Sequence, residues 1–202
     1  MRLGFLASNN GSSLRAIIAA IEVGELSAEA RLVISNKKGA PALIFAAEHG
    51  LKTICIRTIA DPAGADERLA RALTAAGVDL VILSGYLRRL GPRTLEAFGG
   101  RILNIHPALL PRYGGQGMFG RRVHEAVLAA GDPSTGASVH LVDDEYDHGE
   151  VVARVELPIH PGDTAEALER RVMAAEPGLF VHTLQRIEAG SLRLPPISPR
   201  AL

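Results

Sequence analysis

Short apolar runs alternate with amphipathic stretches through the first half of the chain. The run Arg2–Ala7 (RLGFLA), bounded by Ser8-Asn9-Asn10-Gly11, predicts a short buried strand and a turn. Leu14, Ile17, Ile18 and Ile21 then fall at helical spacing, which predicts a helix over Ser12–Val23. The same reading predicts strands at Arg31–Ser35, Lys52–Ile56, Asp79–Leu83 and Arg101–Ile105. Helices are expected at Pro41–His49 and at Ala65–Ala76, the second stopped by Gly77. Alternating strands and helices need crossover connections, which are right-handed and build a mostly parallel sheet covered on both faces.

The pattern changes after Pro107. Pro111–Gly120 is glycine-rich without periodicity and predicts a loop, followed by a helix over Arg122–Ala130. Ala137–Val142 and Val151–Leu157 flank the turn-like segment DDEYDHGE and predict a hairpin. Thr164–Arg186 predicts a long helix broken at Pro177-Gly178, and the tail from Arg193, with Pro195, Pro196 and Pro199, predicts an extended or frayed end. The expected fold class is α/β: a Rossmann-like, mostly parallel sheet with helices on both faces, extended by a C-terminal antiparallel hairpin and a long helix. No repeat or linker divides the chain, so residues 1–202 are expected as a single domain with halves 1–107 and 108–202.

Composition narrows the chemistry. With 22 basic and 22 acidic residues the formal net charge is zero, which argues against nucleic acid as a partner, because phosphate neutralisation needs a basic excess. Hydrophobic residues make up 47% of the chain, enough for a sizeable core, but Trp is absent, so Ala, Val, Leu and Ile must fill it. The single cysteine, Cys55, sits in the apolar run KTICI and is expected to be buried and inert. No Cys/His cluster suggests a metal. Without a leader-like N-terminus or an apolar stretch of membrane length, a cytoplasmic protein with no membrane partner is expected, acting on small molecules as a monomer or homodimer.

Polar residues cluster where strands end, and in open α/β sheets ligands sit beyond the carboxyl ends of strands. Ser8-Asn9-Asn10-Gly11-Ser12-Ser13 lies between a strand and a helix, where outward N–H groups and the helix dipole favour an anion; the same residues also serve as an N-cap and turn. The segment is neither GxGxxG nor GxxxxGK[ST], which weakens a dinucleotide or ATP site. In Asn104-Ile105-His106-Pro107, residues i and i+2 of a strand share a side, so an amide donor and an imidazole could serve acyl transfer together, or could satisfy strand-end backbone groups. Asp143-Asp144-Glu145-Tyr146-Asp147-His148-Gly149 reads either as a solvated turn or as the source of one carboxylate that raises the pKa of His106. It lacks the register of a calcium hand. Among the other histidines, His49 reads as a helix C-terminal residue, His140 as a strand residue, and His124, at a helix start after the glycine-rich loop, either as a pocket-lining residue or, the favoured reading, as a surface residue.

The three constellations occur in the order seen in phosphoribosylglycinamide formyltransferases, and the chain resembles that family over nearly its whole length. The resemblance rests on FLASNNGSSLRAII, VISNKKG, VDLVILSGYLRRLGP, GGRILNIHPALLPRY, TGASVHLVDDEYDHGEVV and PGDTAEALERRVMAAE. The most specific element is Asn-x-His-Pro-x-Leu-Leu-Pro followed by S-V-H-x-V-x-x-x-x-D-x-G. The resemblance implies formyl transfer from 10-formyltetrahydrofolate, as co-substrate and without a metal, to the amine of a ribosyl phosphate by direct attack. It implies that Asn104 bonds the oxyanion, that His106 is general acid and proton carrier, and that Asp147 sets the charge of His106 and positions a water. It assigns the substrate phosphate to Asn10, Gly11, Ser12 and Ser13, other substrate contacts to Glu176 and Pro107, and the folate to Leu87, Arg88, Arg89, Leu90, Asn104, Val142, Asp143 and Asp144.

The chain departs from the family at four places. The phosphate loop reads SNNGSS where SGNGSN is frequent, and GGQGMFGRRVH replaces a Pro-Gly-Leu-His-x-His loop, leaving His124 to match its second histidine. Met173 stands where a polar residue often approaches the substrate, and Arg89 where an apolar residue is usual. Methionyl-tRNA formyltransferases and formyltetrahydrofolate hydrolases share the chemistry but carry further domains that this chain is expected to lack. Sugar-nucleotide formyltransferases, or a non-catalytic folate- or nucleotide-binding module, are the remaining alternatives.

Overall fold

In the computed structural model, which describes residues 1–195, seven strands form one sheet. Pro196 and Pro199 of the expected tail lie outside the described residues. The elements in chain order are β1 (Arg2–Ala7), α1 (Ser12–Glu22), β2 (Glu29–Ser35), α2 (Pro41–Glu48), β3 (Thr53–Cys55), α3 (Pro62–Ala75), β4 (Leu80–Leu83), α4 (Pro92–Ala97), β5 (Ile102–His106), α5 (Arg121–Ala130), β6 (Ser134–Leu141), β7 (Val151–Pro158) and α6 (Ala165–Glu188). The sheet order is β3-β2-β1-β4-β5-β6-β7. Neighbours from β3 to β5 are parallel, whereas β5–β6 and β6–β7 are antiparallel.

Period-two alternation sorts the strand side chains into two cores. Leu3, Phe5 and Ala7 pack with Leu14, Ile17 and Ile18 of α1 and Phe180 and Leu184 of α6. Leu6, Leu32, Ile34, Val81 and Ile102 face the other way, onto Leu69 and Leu73 of α3 and onto Phe98. Both faces are therefore covered, which is why β1, β2 and β4 read as nearly unbroken apolar runs.

The structure departs from the sequence reading in four ways. A short helix, α4, was not expected; its N-terminus is capped from α3, where Asp66 accepts from Arg93 N–H at 2.8 Å, Thr94 N–H at 3.1 Å and Thr94 Oγ1 at 2.6 Å. α6 runs unbroken past Pro177, because burial of Phe180 and Leu184 outweighs the one helical hydrogen bond that proline removes. α3 starts at Pro62, three residues ahead of the expected Ala65, with Asp61 accepting from Gly64 N–H at 2.9 Å as its N-cap. Cys55 is exposed rather than buried; it lies at the end of β3, the edge strand of the sheet.

β1 and β4 are neighbours, yet the chain leaves β1 toward β2 and β3 and returns to place β4 and β5 on the other side. That reversal opens a crevice at the carboxyl ends of β1 and β4. The candidate site grows from it.

Candidate active site

Gly11 closes the turn after β1 with φ +68°, a left-handed conformation that glycine adopts without strain. No side chain caps α1, and Leu14 N–H is taken by Ser84 Oγ at 3.0 Å, so the N–H groups of Ser12 and Ser13 are left facing outward at the positive end of the helix. Ser8 is buried and ties two neighbouring loops together: its Oγ donates to Asn36 Oδ1 at 2.7 Å and accepts from Leu87 N–H at 2.8 Å. Asn9, the departure from the frequent glycine, accepts from Lys37 Nζ at 2.7 Å, which brings a cation beside this loop.

The end of β5 holds the second part. The antiparallel register sets Asn104 opposite His140 and His106 opposite Ser138. Asn104 Nδ2 lies 3.1 Å from His140 Nε2. Ser138 Oγ donates to Ala108 carbonyl at 2.7 Å and accepts from Leu110 N–H at 3.1 Å, fixing the chain as it leaves Pro107. His106 is buried, with Nε2 at 2.7 Å from Tyr113 carbonyl and Nδ1 at 3.3 Å from Asp147 Oδ2. A carbonyl accepts only, so Nε2 carries a hydrogen and Nδ1 is the nitrogen left to gain or lose a proton.

Asp147 is the third part, and it reaches both imidazoles. Its other oxygen, Oδ1, lies 3.5 Å from His140 Nε2, and Gly115 N–H donates to Oδ2 at 3.1 Å. Burial alone would raise this carboxyl's pKa, but the His140 bond, the His106 charge and the Gly115 N–H outweigh it and hold the pKa below the usual value. Asp147 raises the His106 pKa as expected, but burial acts against it. Burial lowers its pKa more than Asp147 and the Tyr113 carbonyl raise it, so the net shift is downward. Both protein partners of His106 have left-handed backbone, Tyr113 with φ +58° and Asp147 with φ +54°, and no other described non-glycine residue does.

A cleft of about 600 Å³ joins these parts; Ser12, Ser13, Leu87, Asn104, His106, Pro107, Asp147 and Glu176 all line it. A smaller cavity of about 70 Å³ shares Asn104 and Asp147 with it and is lined by Arg88, Arg89, Leu90, Val142, Asp143 and Asp144. Every residue expected at the site is thus on one continuous surface, apart from Asn10 and Gly11, which shape the turn behind Ser12. Arg89, unusual at its position, donates to the Asp144 carbonyl and joins the β4 loop to the β6–β7 loop.

Sequence reasoning missed His140 and favoured the wrong one of two readings for His124. His140 touches both Asn104 and Asp147, and its place opposite Asn104 was hidden until the strand register was known. His124 was expected at the surface; it is 1% exposed, lines the cleft, and its Nδ1 is buried without a partner. It begins the buried face of α5, together with Val123 and Val127, and that stripe was the available signal. Among the described residues, no group of three or more His, Cys, Asp or Glu is arranged to hold a metal ion.

Glu176 on α6 is sunk into the cleft wall, and burial pushes its pKa up from 4.5 to about 7. A raised folded-state pKa means that folding takes up a proton between those values, so the contribution to stability is full below pH 4.5 and is lost as pH rises through about 7. Glu176→Gln should therefore match the parent near pH 5 and exceed it at pH 8 by on the order of 1–3 kcal/mol in urea unfolding. Equal stability differences at both pH values would refute the burial argument.

An amide donor and an imidazole beside a carboxylate, open to a cleft that also holds an uncapped helix start, define a group-transferring enzyme site. The model of the formyl transferase family matches residues 1–184, and the chain belongs to that family. It is 35% identical over 190 residues to a chloroplastic phosphoribosylglycinamide formyltransferase of Arabidopsis thaliana, covering 92% of this chain and 65% of that protein. It is 34% identical over 196 residues to the phosphoribosylglycinamide formyltransferase of Escherichia coli, covering 96% of this chain and 90% of that protein. The crystal structure of glycinamide ribonucleotide transformylase 1 from Symbiobacterium toebii matches with TM-score 0.86 and 33% identity over 99% of this chain and 92% of that one. The chain thus spans just under two thirds of the length of the plant relative.

Proposed function

We propose that the protein transfers a formyl group from 10-formyltetrahydrofolate to the amine of 5-phosphoribosylglycinamide, the formylation step of purine synthesis. The observation that carries this reading is the single cleft in which the α1 N-terminus and the Asn104–His106–Asp147 group face one another. The helix start takes the ribosyl phosphate at the N–H groups of Ser12 and Ser13, behind the turn made by Asn10 and Gly11. Pro107 and Glu176 border the rest of the acceptor. Leu87–Leu90 and Val142–Asp144 border the folate. In this reading residues 1–107 and 108–202 work as halves of one domain, in the cytoplasm, on small molecules, as a monomer or homodimer.

The acceptor amine attacks the formyl carbon, a new C–N bond forms, and the carbonyl oxygen becomes an oxyanion. Asn104 Nδ2 donates to that oxygen, the charge being greatest in the transition state. His106 enters neutral, so Nδ1 first takes the proton released by the attacking amine. It then gives that proton to the folate nitrogen as the C–N bond to the donor breaks. Asp147 stabilises the imidazolium between those two events. Burial depresses the His106 pKa, which favours this order, with proton pick-up ahead of the general-acid step implied by the family resemblance.

The test is formyl transfer measured by folate absorbance with glycinamide ribonucleotide and, separately, with a sugar-nucleotide amine. Turnover is expected with the first and not with the second. Turnover confined to the sugar nucleotide, or absent with both, would overturn the proposal.

A further inference from the structure

Tyr113 joins the site to a cluster that the reaction does not use. Its carbonyl accepts from His106 Nε2 at 2.7 Å, while its hydroxyl donates to Asp132 Oδ2 at 2.6 Å and accepts from Arg112 Nη2 at 2.8 Å. Arg112 closes the triangle with an ion pair to Asp132 at 2.8 Å, and its guanidinium lies 4.9 Å from the centre of the Tyr113 ring. Asp132 belongs to the turn between α5 and β6, whereas Arg112 and Tyr113 begin the glycine-rich loop after β5. The triangle therefore fastens that loop to a part of the fold outside the cleft.

The fastening matters because of the backbone it holds. A φ of +58° is uncommon for an aromatic residue. Once the side chain is freed, the residue relaxes toward negative φ and its carbonyl turns away from His106. The imidazole then has one strong acceptor left, Asp147 Oδ2 at 3.3 Å from Nδ1. A neutral imidazole carries one hydrogen, and it moves to the nitrogen that still has an acceptor.

We propose that Tyr113 is a positioning residue: the Arg112–Tyr113–Asp132 triangle holds its carbonyl against Nε2, fixes His106 as the Nε2–H tautomer, and so keeps Nδ1 free for the transferred proton. This deepens the function proposed above and depends on it for the meaning of the tautomer, but not for its measurement.

The experiment is 15N NMR of the His106 ring nitrogens in labelled protein over a pH series, assigned by their loss in His106→Asn. The parent should show protonated Nε2 and bare Nδ1 when neutral. Tyr113→Phe should populate the Nδ1–H form and lower kcat by about tenfold with KM unchanged, since the wrong tautomer blocks proton transfer without altering binding. Asp132→Asn should shift the tautomer in the same direction and keeps the loop covalently intact. A parent already in the Nδ1–H form would overturn the proposal. So would a tautomer unmoved in both variants. The NMR readout needs no turnover, so an enzyme inactive in formyl transfer could still pass this test.

Discussion

Asp147→Asn should cut kcat for formyl transfer by about 10²–10³-fold, within the range contributed by general acid–base groups, while the melting temperature hardly moves. The substitution preserves shape and an oxygen that can accept from Gly115 N–H, now 3.1 Å away. It also suits the backbone, because φ +54° is tolerated by Asn as readily as by Asp. What disappears is the negative charge facing His106 Nδ1 and His140 Nε2. Burial already depresses the His106 pKa, and without the opposing carboxylate it falls further. The imidazole then holds the transferred proton too weakly, and the His-dependent limb of the pH–rate profile moves to lower pH. Unchanged kcat would remove Asp147 from the reaction; a large loss of stability would assign it to the fold instead.

Asn104→Ala is the second large effect. Deleting one preorganised oxyanion donor costs about 10²–10³ in kcat, with much less effect on KM, because the charge it serves exists chiefly in the transition state. Asn104 Nδ2 also donates to His140 Nε2 at 3.1 Å, so the variant removes a donor from a nitrogen that also lies 3.5 Å from Asp147. Asn104→Ala and Asp147→Asn should therefore combine less than additively, since both touch His140. Equal effects on kcat and KM, or full additivity, would contradict this arrangement.

Much of the fold was legible because its strands are buried on both faces and its helices carry clear stripes; β1 and α1 were read nearly residue for residue. α4 was not, for a definite reason. Its cap, Asp66, lies 28 residues away from Thr94 in sequence, and no local pattern records a tertiary cap. The Gly91-Pro92 pair was the sole local hint. The site shows the same division. That Asn104 and His106 share a side follows from strand geometry, but the choice of Asp147 among four acidic neighbours needed the family resemblance, because its selection depends on a left-handed turn. The downward shift of the His106 pKa was illegible altogether: it is a balance between burial and a carboxylate, and burial depends on the three-dimensional packing.

The exposed thiol of Cys55 has a practical side. It is the chain's single cysteine, so a maleimide dye or spin label marks one defined point. β3 lies four strand positions from β5 in the sheet, about 19 Å at the usual interstrand spacing, far enough for a label to leave Asn104 and His106 untouched and near enough to register a ligand in the cleft. The same exposure lets two copies join through a disulfide in air, so any measurement of molecular mass in solution belongs in reducing buffer.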